Sequence, residues 1–175
     1  MGLDISQTST GIACILGTGE VWTESCGMVG KVTDTLAMRA TRLTETTQAI
    51  LEFFPATGAC EVLVEDLMMT SGTGNKLDRS ALWWFVTAGL IKRGYQVSTA
   101  SPATLKRWAT GKGNVDKVMV GLHMGRLFPD VEFANDDELD AVTAAHLLAV
   151  RAGIEVPTRA YHVPANWKSI RFPVG

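Results

Sequence analysis

The sequence predicts an α/β domain in which a five-stranded mixed sheet carries helices on both faces. Three observations lead there. The first 26 residues hold three short strand-like runs separated by turns, which reads as an antiparallel meander. From residue 33 onward, apolar repeats at helical spacing alternate with two further strand-like runs, the pattern of crossover units with parallel neighbours. The chain is 175 residues long, 46% apolar and 19% charged. That suits one domain able to bury roughly 70% of the surface its unfolded form exposes, and it excludes a disordered chain.

Each element has its own justification. Residues 3–5 form a short apolar strand around Asp4, and residues 10–16 a second. The turn Gly17-Thr18-Gly19 leads into residues 21–26, which complete a hairpin. Thr33 or Asp34 can cap a long helix whose inward stripe is Leu36, Ala40, Leu43, Thr47, Ile50 and Phe54, ended by Pro55 and Gly58. Residues 61–67 are a fourth strand, and the unbroken Val62-Leu63-Val64 reads as buried on both faces. Small residues at 69–75 make a loop. Asp78 or Ser80 opens a helix carrying Leu82, Trp83, Trp84, Phe85, Val86, Leu90 and Ile91, closed by Gly94. Residues 95–99 are the fifth strand. Ser101-Pro102 starts a helix with proline at its first position, and Gly111 and Gly113 interrupt the pattern around Lys112. Residues 115–128 form a helix stopped by Pro129. The last helix is capped by Asn135 or Asp136 and reaches about residue 152, before Gly153. The domain is therefore expected over 1–153, with 154–175, which holds three prolines, as a C-terminal tail.

Charge is uneven along the chain. The net charge is −2, which by itself does not mark a nucleic-acid binder. Residues 101–126, however, carry Lys106, Arg107, Lys112, Lys117 and Arg126 against Asp116 alone, a local sum of +4. Residues 127–140 hold six acids and no base, and residues 151–175 sum to +3. A basic stretch beside an acidic cluster suits a protein that grips a polyanion and holds metal ions next to it. The three cysteines, Cys14, Cys26 and Cys60, are odd in number and lack CxxC spacing, which argues against a disulfide framework or zinc site and for a reducing cytoplasm. The longest apolar run, residues 81–91, is too short to span a bilayer. No basic stretch precedes it at the N-terminus, so neither a leader nor a membrane partner is expected.

Four carboxylates stand out by position. Asp4 lies in the first strand, Glu65 ends the buried fourth strand, and Asp137 and Asp140 share one face near the start of the last helix. A doubly buried strand has no packing use for an acid, and desolvating an unpaired carboxylate costs several kcal/mol. If the first and fourth strands are neighbours and the last helix crosses their ends, the four acids converge. Such a cluster repels itself unless Mg²⁺ or Mn²⁺ neutralises it, and hard oxygen ligands suit those ions. Two ions roughly 4 Å apart can activate water on one side of a phosphodiester and stabilise the leaving oxygen on the other.

These residues resemble the RuvC Holliday-junction resolvases of the ribonuclease H-like superfamily. Gly2-Leu3-Asp4 with Thr10-Gly11 resembles that family's opening strand and turn, and Val64-Glu65 its second catalytic strand. Lys106, Gly111-Lys112-Gly113 and Lys117 reproduce its lysine, glycine-x-glycine and lysine pattern, the two lysines eleven apart. Asp137-x-x-Asp140-Ala141 resembles its closing acidic helix. The resemblance implies a ribonuclease H-like fold and a homodimer that binds four-way DNA junctions and makes paired symmetric nicks leaving 5′-phosphates. It implies Asp4, Glu65, Asp137 and Asp140 as ligands of two Mg²⁺ (Mn²⁺ substituting), with Lys106, Arg107, Lys112 and Lys117 facing DNA phosphate and Lys117 offsetting transition-state charge. Two departures are visible. The family's proline-glycine after the first aspartate is Ile5-Ser6 here, and its junction-wedging aromatic is replaced by Met68; Met68 or Met69, flexible apolar side chains, could still wedge. With the wedge changed, the chain is similar to divergent bacteriophage members, working in the host cytoplasm, a resemblance that implies cutting of forks, flaps and three-way junctions too. The alternatives are a ribonuclease H-like enzyme acting on RNA or an RNA–DNA hybrid, and a non-catalytic branched-DNA-binding protein.

Other residues read as follows. Trp83, Trp84 and Phe85 cannot all face one core, so at least one points outward and marks a dimer surface. His146 lies nearly opposite Asp137 on the last helix and is not read as a ligand. Trp108 either packs or stacks on a nucleotide. Arg159, Lys168 and Arg171, with Tyr161 and Trp167 between them, either extend a DNA footprint or belong to a packed tail.

Overall fold

The computed structural model describes residues 1–55, 60–67 and 76–172. Five strands, β1 (Gly2–Asp4), β2 (Thr10–Ile15), β3 (Val21–Cys26), β4 (Glu61–Glu65) and β5 (Gln96–Ala100), form one mixed sheet in the order β3-β2-β1-β4-β5. The first three are the expected antiparallel meander, while β4 lies parallel to both β1 and β5. Continuous apolar sequence in β4 has the expected consequence: Val62, Leu63 and Val64 are fully buried.

One face of the sheet is covered by α1 (Leu36–Glu52) and α2 (Lys76–Lys92). Leu3, Ile12, Val62 and Val64 point into this layer and meet Ile50, Phe54, Leu82, Trp83 and Leu90. The other face carries α3 (Pro102–Thr110), α4 (Lys117–Leu127) and α5 (Asp136–Arg151). Alternation along each strand divides the cores: Ala13 and Leu63 face α5, while their neighbours Ile12 and Val64 face α1 and α2. Among the described residues no helix is long and apolar enough to cross a membrane.

Several boundaries differ from the sequence expectation. The cap of α1 is Thr35, whose hydroxyl accepts from the Met38 amide at 3.3 Å. Asp34 is taken instead by the Lys31 amide, at 2.8 Å, and by the Arg42 guanidinium. Leu36, expected to face inward, is 79% exposed, because the packed stripe of α1 starts only at Leu43. Asp116 caps α4, so that helix begins two residues later than expected, and α2 is already formed at Lys76. Asp78, expected at the helix start, is a buried acceptor of two Arg39 hydrogen bonds, at 2.9 and 2.6 Å. Gly58, the loop at 69–75 and Met68 lie outside the described residues.

The aromatic triplet divides as its spacing requires. Trp83 is buried, and Trp84 and Phe85 are 64% and 51% exposed. Leu77, Trp84 and Ile91 are all exposed at seven-residue intervals, so α2 shows an apolar stripe to solvent. The segment after α5 packs. Ile170 is buried, a short 3₁₀ helix spans Pro164–Trp167, and Arg171 pairs with Thr99 in an antiparallel bridge that covers the edge of β5. Trp108 is fully buried and stacks on His162, centroids 4.5 Å apart, so of its two expected roles the structure shows packing.

Candidate functional site

The site lies where β1 and β4 end side by side. Gly2 pairs with Leu63 and Leu3 with Val64, so the next step of that register sets Asp4 beside Glu65. Alternation puts both side chains on the α5 face, because Leu63, two residues before Glu65, packs there and a Cβ on Gly2 would strike α5. Asp4 is only 7% exposed. The Glu65 backbone is fixed from the opposite layer, where Trp83 Nε1 donates to its carbonyl at 3.0 Å.

Two glycines let α5 descend onto these strands. A Cβ on Gly2 would sit 2.0 Å from the Ala141 carbonyl oxygen and 2.5 Å from the Ala145 nitrogen. A Cβ on Gly11 would sit 1.9 Å from the Asp137 carbonyl oxygen. Gly11 is also the cross-strand partner of Asp4. The absent side chains therefore bring the first turn of α5, with Asp137 and Asp140, directly over the ends of β1 and β2.

The three acids that open α5 take separate roles. Glu138 is buried, accepting from the Thr23 hydroxyl at 3.1 Å and from the Ala134 amide at 3.0 Å, and is structural. Asp136 is exposed. Asp137, with Asp140 one turn on, acts on Asp4 through its charge.

Electrostatics show how crowded the cluster is. Burial, then the charges of Asp140 and Asp137, push the Asp4 carboxyl up to about 7. Burial, then Asp4 and Asp140, push Glu65 up to about 8. Asp140 is raised as well, chiefly by burial, although Lys117 Nζ lies 3.2 Å from its Oδ2. Burial pulls the Lys117 ammonium down, but Asp140, Asp4 and Asp137 outweigh it and leave Lys117 above its ordinary value.

The charge of Arg79, in the first turn of α2, also acts on Asp4 and Glu65 and offsets part of their rise. Sequence reasoning missed it, since an arginine in a helix's first turn carries no signal of what lies across from it. Two cations do not neutralise the cluster: Asp4 and Glu65 stay raised despite Lys117 and Arg79. The donor set is anionic oxygen throughout, which fits a hard divalent cation. Among the described residues no three His, Cys, Asp or Glu side chains are already drawn into a chelating group. The carboxylates thus share one field without yet sharing one atom position.

The basic residues divide too. Lys117 opens α4 and points at the acids. Lys106 turns inward, donating to the Val115 carbonyl at 2.8 Å, and so ties α3 to the start of α4. Arg107 and Lys112 are exposed. His146 is fully buried; Trp108 Nε1 donates to its Nδ1 at 3.1 Å, so its Nε2 carries the proton given to the Pro157 carbonyl at 2.9 Å.

No protein-family profile matches the sequence, and no curated protein matches it either. Solved structures do match by shape. RuvC of Thermus thermophilus aligns with a TM-score of 0.61 at 19% identity, covering 90% of this chain and 98% of that one. The same organism's RuvC in complex with a Holliday junction substrate aligns with a TM-score of 0.63 at 19% identity, covering 90% and 97%. The chain has the ribonuclease H-like fold of RuvC, with its five-stranded mixed sheet between helices.

Proposed function

We propose that this chain is a divalent-metal-dependent endonuclease of the RuvC type, of the divergent bacteriophage kind, that cuts four-way DNA junctions and other branched DNA. What supports the reading is that Asp4, Glu65, Asp137 and Asp140, from two strands and one helix, act on one another by charge, and that burial together with this repulsion raises Asp4, Glu65 and Asp140. Structural residues rarely accept that cost, and a perturbed anionic cluster at strand ends is the usual setting of a functional site. The shared fold with a RuvC that is known bound to a Holliday junction substrate supports branched DNA as the partner.

Asp4, Glu65, Asp137 and Asp140 would hold Mg²⁺ or Mn²⁺, two ions in all. Bound there, the ions would supply Lewis-acid activation of the attacking water and stabilisation of the leaving 3′ oxygen, leaving a 5′-phosphate. Before the ions enter, Asp4 and Glu65 must release the protons they carry, so loading is favoured by rising pH. Lys117 is placed to offset charge developing on the scissile phosphate, held ready by Asp140. Arg79, whose charge acts on the same acids, would add to that offset. The exposed Arg107 and Lys112 would meet the DNA backbone, whereas the inward Lys106 would shape that surface from beneath.

Paired cutting needs two subunits. The exposed stripe Leu77, Trp84 and Ile91, with Phe85, is the surface this reading gives to the homodimer. A nicking gel tests the whole reading, using a four-way junction, a fork, a flap, a three-way junction and an RNA–DNA hybrid, each with Mg²⁺, Mn²⁺ or chelator. Metal-dependent nicks in the branched DNAs, lost in Asp4→Asn, are expected. Preferential cutting of the hybrid, or junction binding with no nick under any metal, would overturn it.

A further inference from the structure

One side chain of the C-terminal segment touches three separate parts of the basic α3–α4 unit. Tyr161 Oη donates to the Ala109 carbonyl, 3.1 Å away in the last turn of α3. With that proton committed, His123 Nδ1 on α4, also 3.1 Å away, is the donor to the same oxygen. The Tyr161 ring lies on Gly111, the left-handed cap of α3 (φ 81°), where an added Cβ would come 3.3 Å from Cγ and Cδ1 of the ring. The connection from α3 to α4, which contains Gly111 and Gly113, is held from within by Lys106 Nζ on the Val115 carbonyl at 2.8 Å and by the Lys112 amide on the Thr110 hydroxyl at 3.2 Å. Tyr161 supplies a third point of attachment.

The segment that carries Tyr161 is itself anchored. His146 holds the Pro157 carbonyl at 2.9 Å, Asn166 Nδ2 donates to the Tyr161 carbonyl at 2.5 Å, and the Ser169 and Thr104 hydroxyls meet at 2.8 Å. Tyr161 is therefore a fixed post, and the α3–α4 turn rests on it. Lys117 is the first residue of α4, and its ammonium reaches Asp140 at 3.2 Å. A small rotation of α4 about the glycine turn would move that ammonium away from the acids.

We propose that Tyr161 is a positioning residue for the acidic site: by fixing the α3–α4 turn it sets where Lys117 stands against Asp140. Its consequence for catalysis rests on the nuclease reading above; its effect on α4 does not. Tyr161→Phe keeps the ring on Gly111 and removes both hydrogen bonds. Amide exchange in the first two turns of α4 and the last turn of α3 is expected to quicken roughly fivefold, with β1 and β4 protected as in the parent. Single-turnover nicking of a four-way junction in Mg²⁺ is expected to fall roughly fivefold, with the junction Kd within about twofold. In the Lys117→Ala background Tyr161→Phe should add no further loss, a non-additivity that general destabilisation does not produce. Ile50→Val, a core change on the other face of the sheet, should lower stability and leave the nicking rate alone.

The proposal is overturned if α4 exchange is unaltered, or if Tyr161→Phe costs the Lys117→Ala protein as much as it costs the parent. A parent that nicks no branched DNA refutes the nuclease reading instead, and the exchange measurement then decides the Tyr161 contact on its own.

Discussion

Replacing Asp4 by asparagine should make the metal-free protein more stable at alkaline pH, although the residue is buried and the change removes a charge. The sign follows from the direction of the shift. An Asp4 carboxyl held at about 7 rather than 3.8 makes the folded state bind a proton that the unfolded state has released. Stability from this group is therefore undiminished below about pH 4, declines as pH rises through the interval, and is fully lost above about pH 7. The complete penalty is about 4 kcal/mol. Asparagine removes it and also relieves Glu65, but an amide left without a full set of partners costs about 2 kcal/mol. The net gain is then about 2 kcal/mol at pH 8, or roughly 4–8 °C in Tm for a chain of this size, and close to zero near pH 5. Thermal unfolding of both proteins in chelator across pH 5 to 8.5 reads it directly. A variant no more stable than the parent at pH 8, or a Tm difference flat with pH, would refute the crowding of the carboxylates.

Three further outcomes follow from the same geometry. Lys117→Ala should slow single-turnover nicking by roughly 10- to 100-fold while junction affinity stays within about twofold, measured by quench and by titration; an unchanged rate contradicts its role in offsetting charge on the scissile phosphate. Gly11→Ala sets a Cβ 1.9 Å from backbone oxygen and should cost about 2–4 kcal/mol in denaturant unfolding, because α5 must lift off β2; a loss under about 0.5 kcal/mol would mean the helix is not seated as described. Trp84→Glu should convert a dimer to a monomer in analytical ultracentrifugation with the circular dichroism of the fold unchanged, since Trp84 is exposed on the single chain; a parent that is monomeric at tens of micromolar refutes the dimer surface.

What the sequence revealed and what it concealed have physical reasons. Val62-Leu63-Val64 is apolar on both faces, so the acid that ends it was conspicuous, and the Asp137-x-x-Asp140 spacing on a helix allowed only one shared face. The meander followed by alternating units left few ways to order the strands, and β3-β2-β1-β4-β5 is among them. Arg79 stayed hidden because its relation to Asp4 and Glu65 spans distant parts of the chain and leaves no periodic trace. Lys106 and Lys117 look alike as isolated cations, yet one is turned under the α3–α4 turn and the other reaches the acids. Leu36 matched the helical stripe but lies beyond the packed part of α1, where periodicity alone cannot tell a covered face from a bare one. The C-terminal segment lacks periodicity altogether, and its packing depends on contacts such as His162 on Trp108 that no local rule anticipates.

Mn²⁺ titration followed by electron paramagnetic resonance reaches the central claim most directly. The parent should take up as many as two ions, more tightly at pH 8.5 than at pH 6.5, and Asp4→Asn, Glu65→Gln and Asp140→Asn should each weaken that uptake. A parent that leaves millimolar Mn²⁺ free in solution, or single variants that bind it as the parent does, would contradict a shared cation pocket built from β1, β4 and α5.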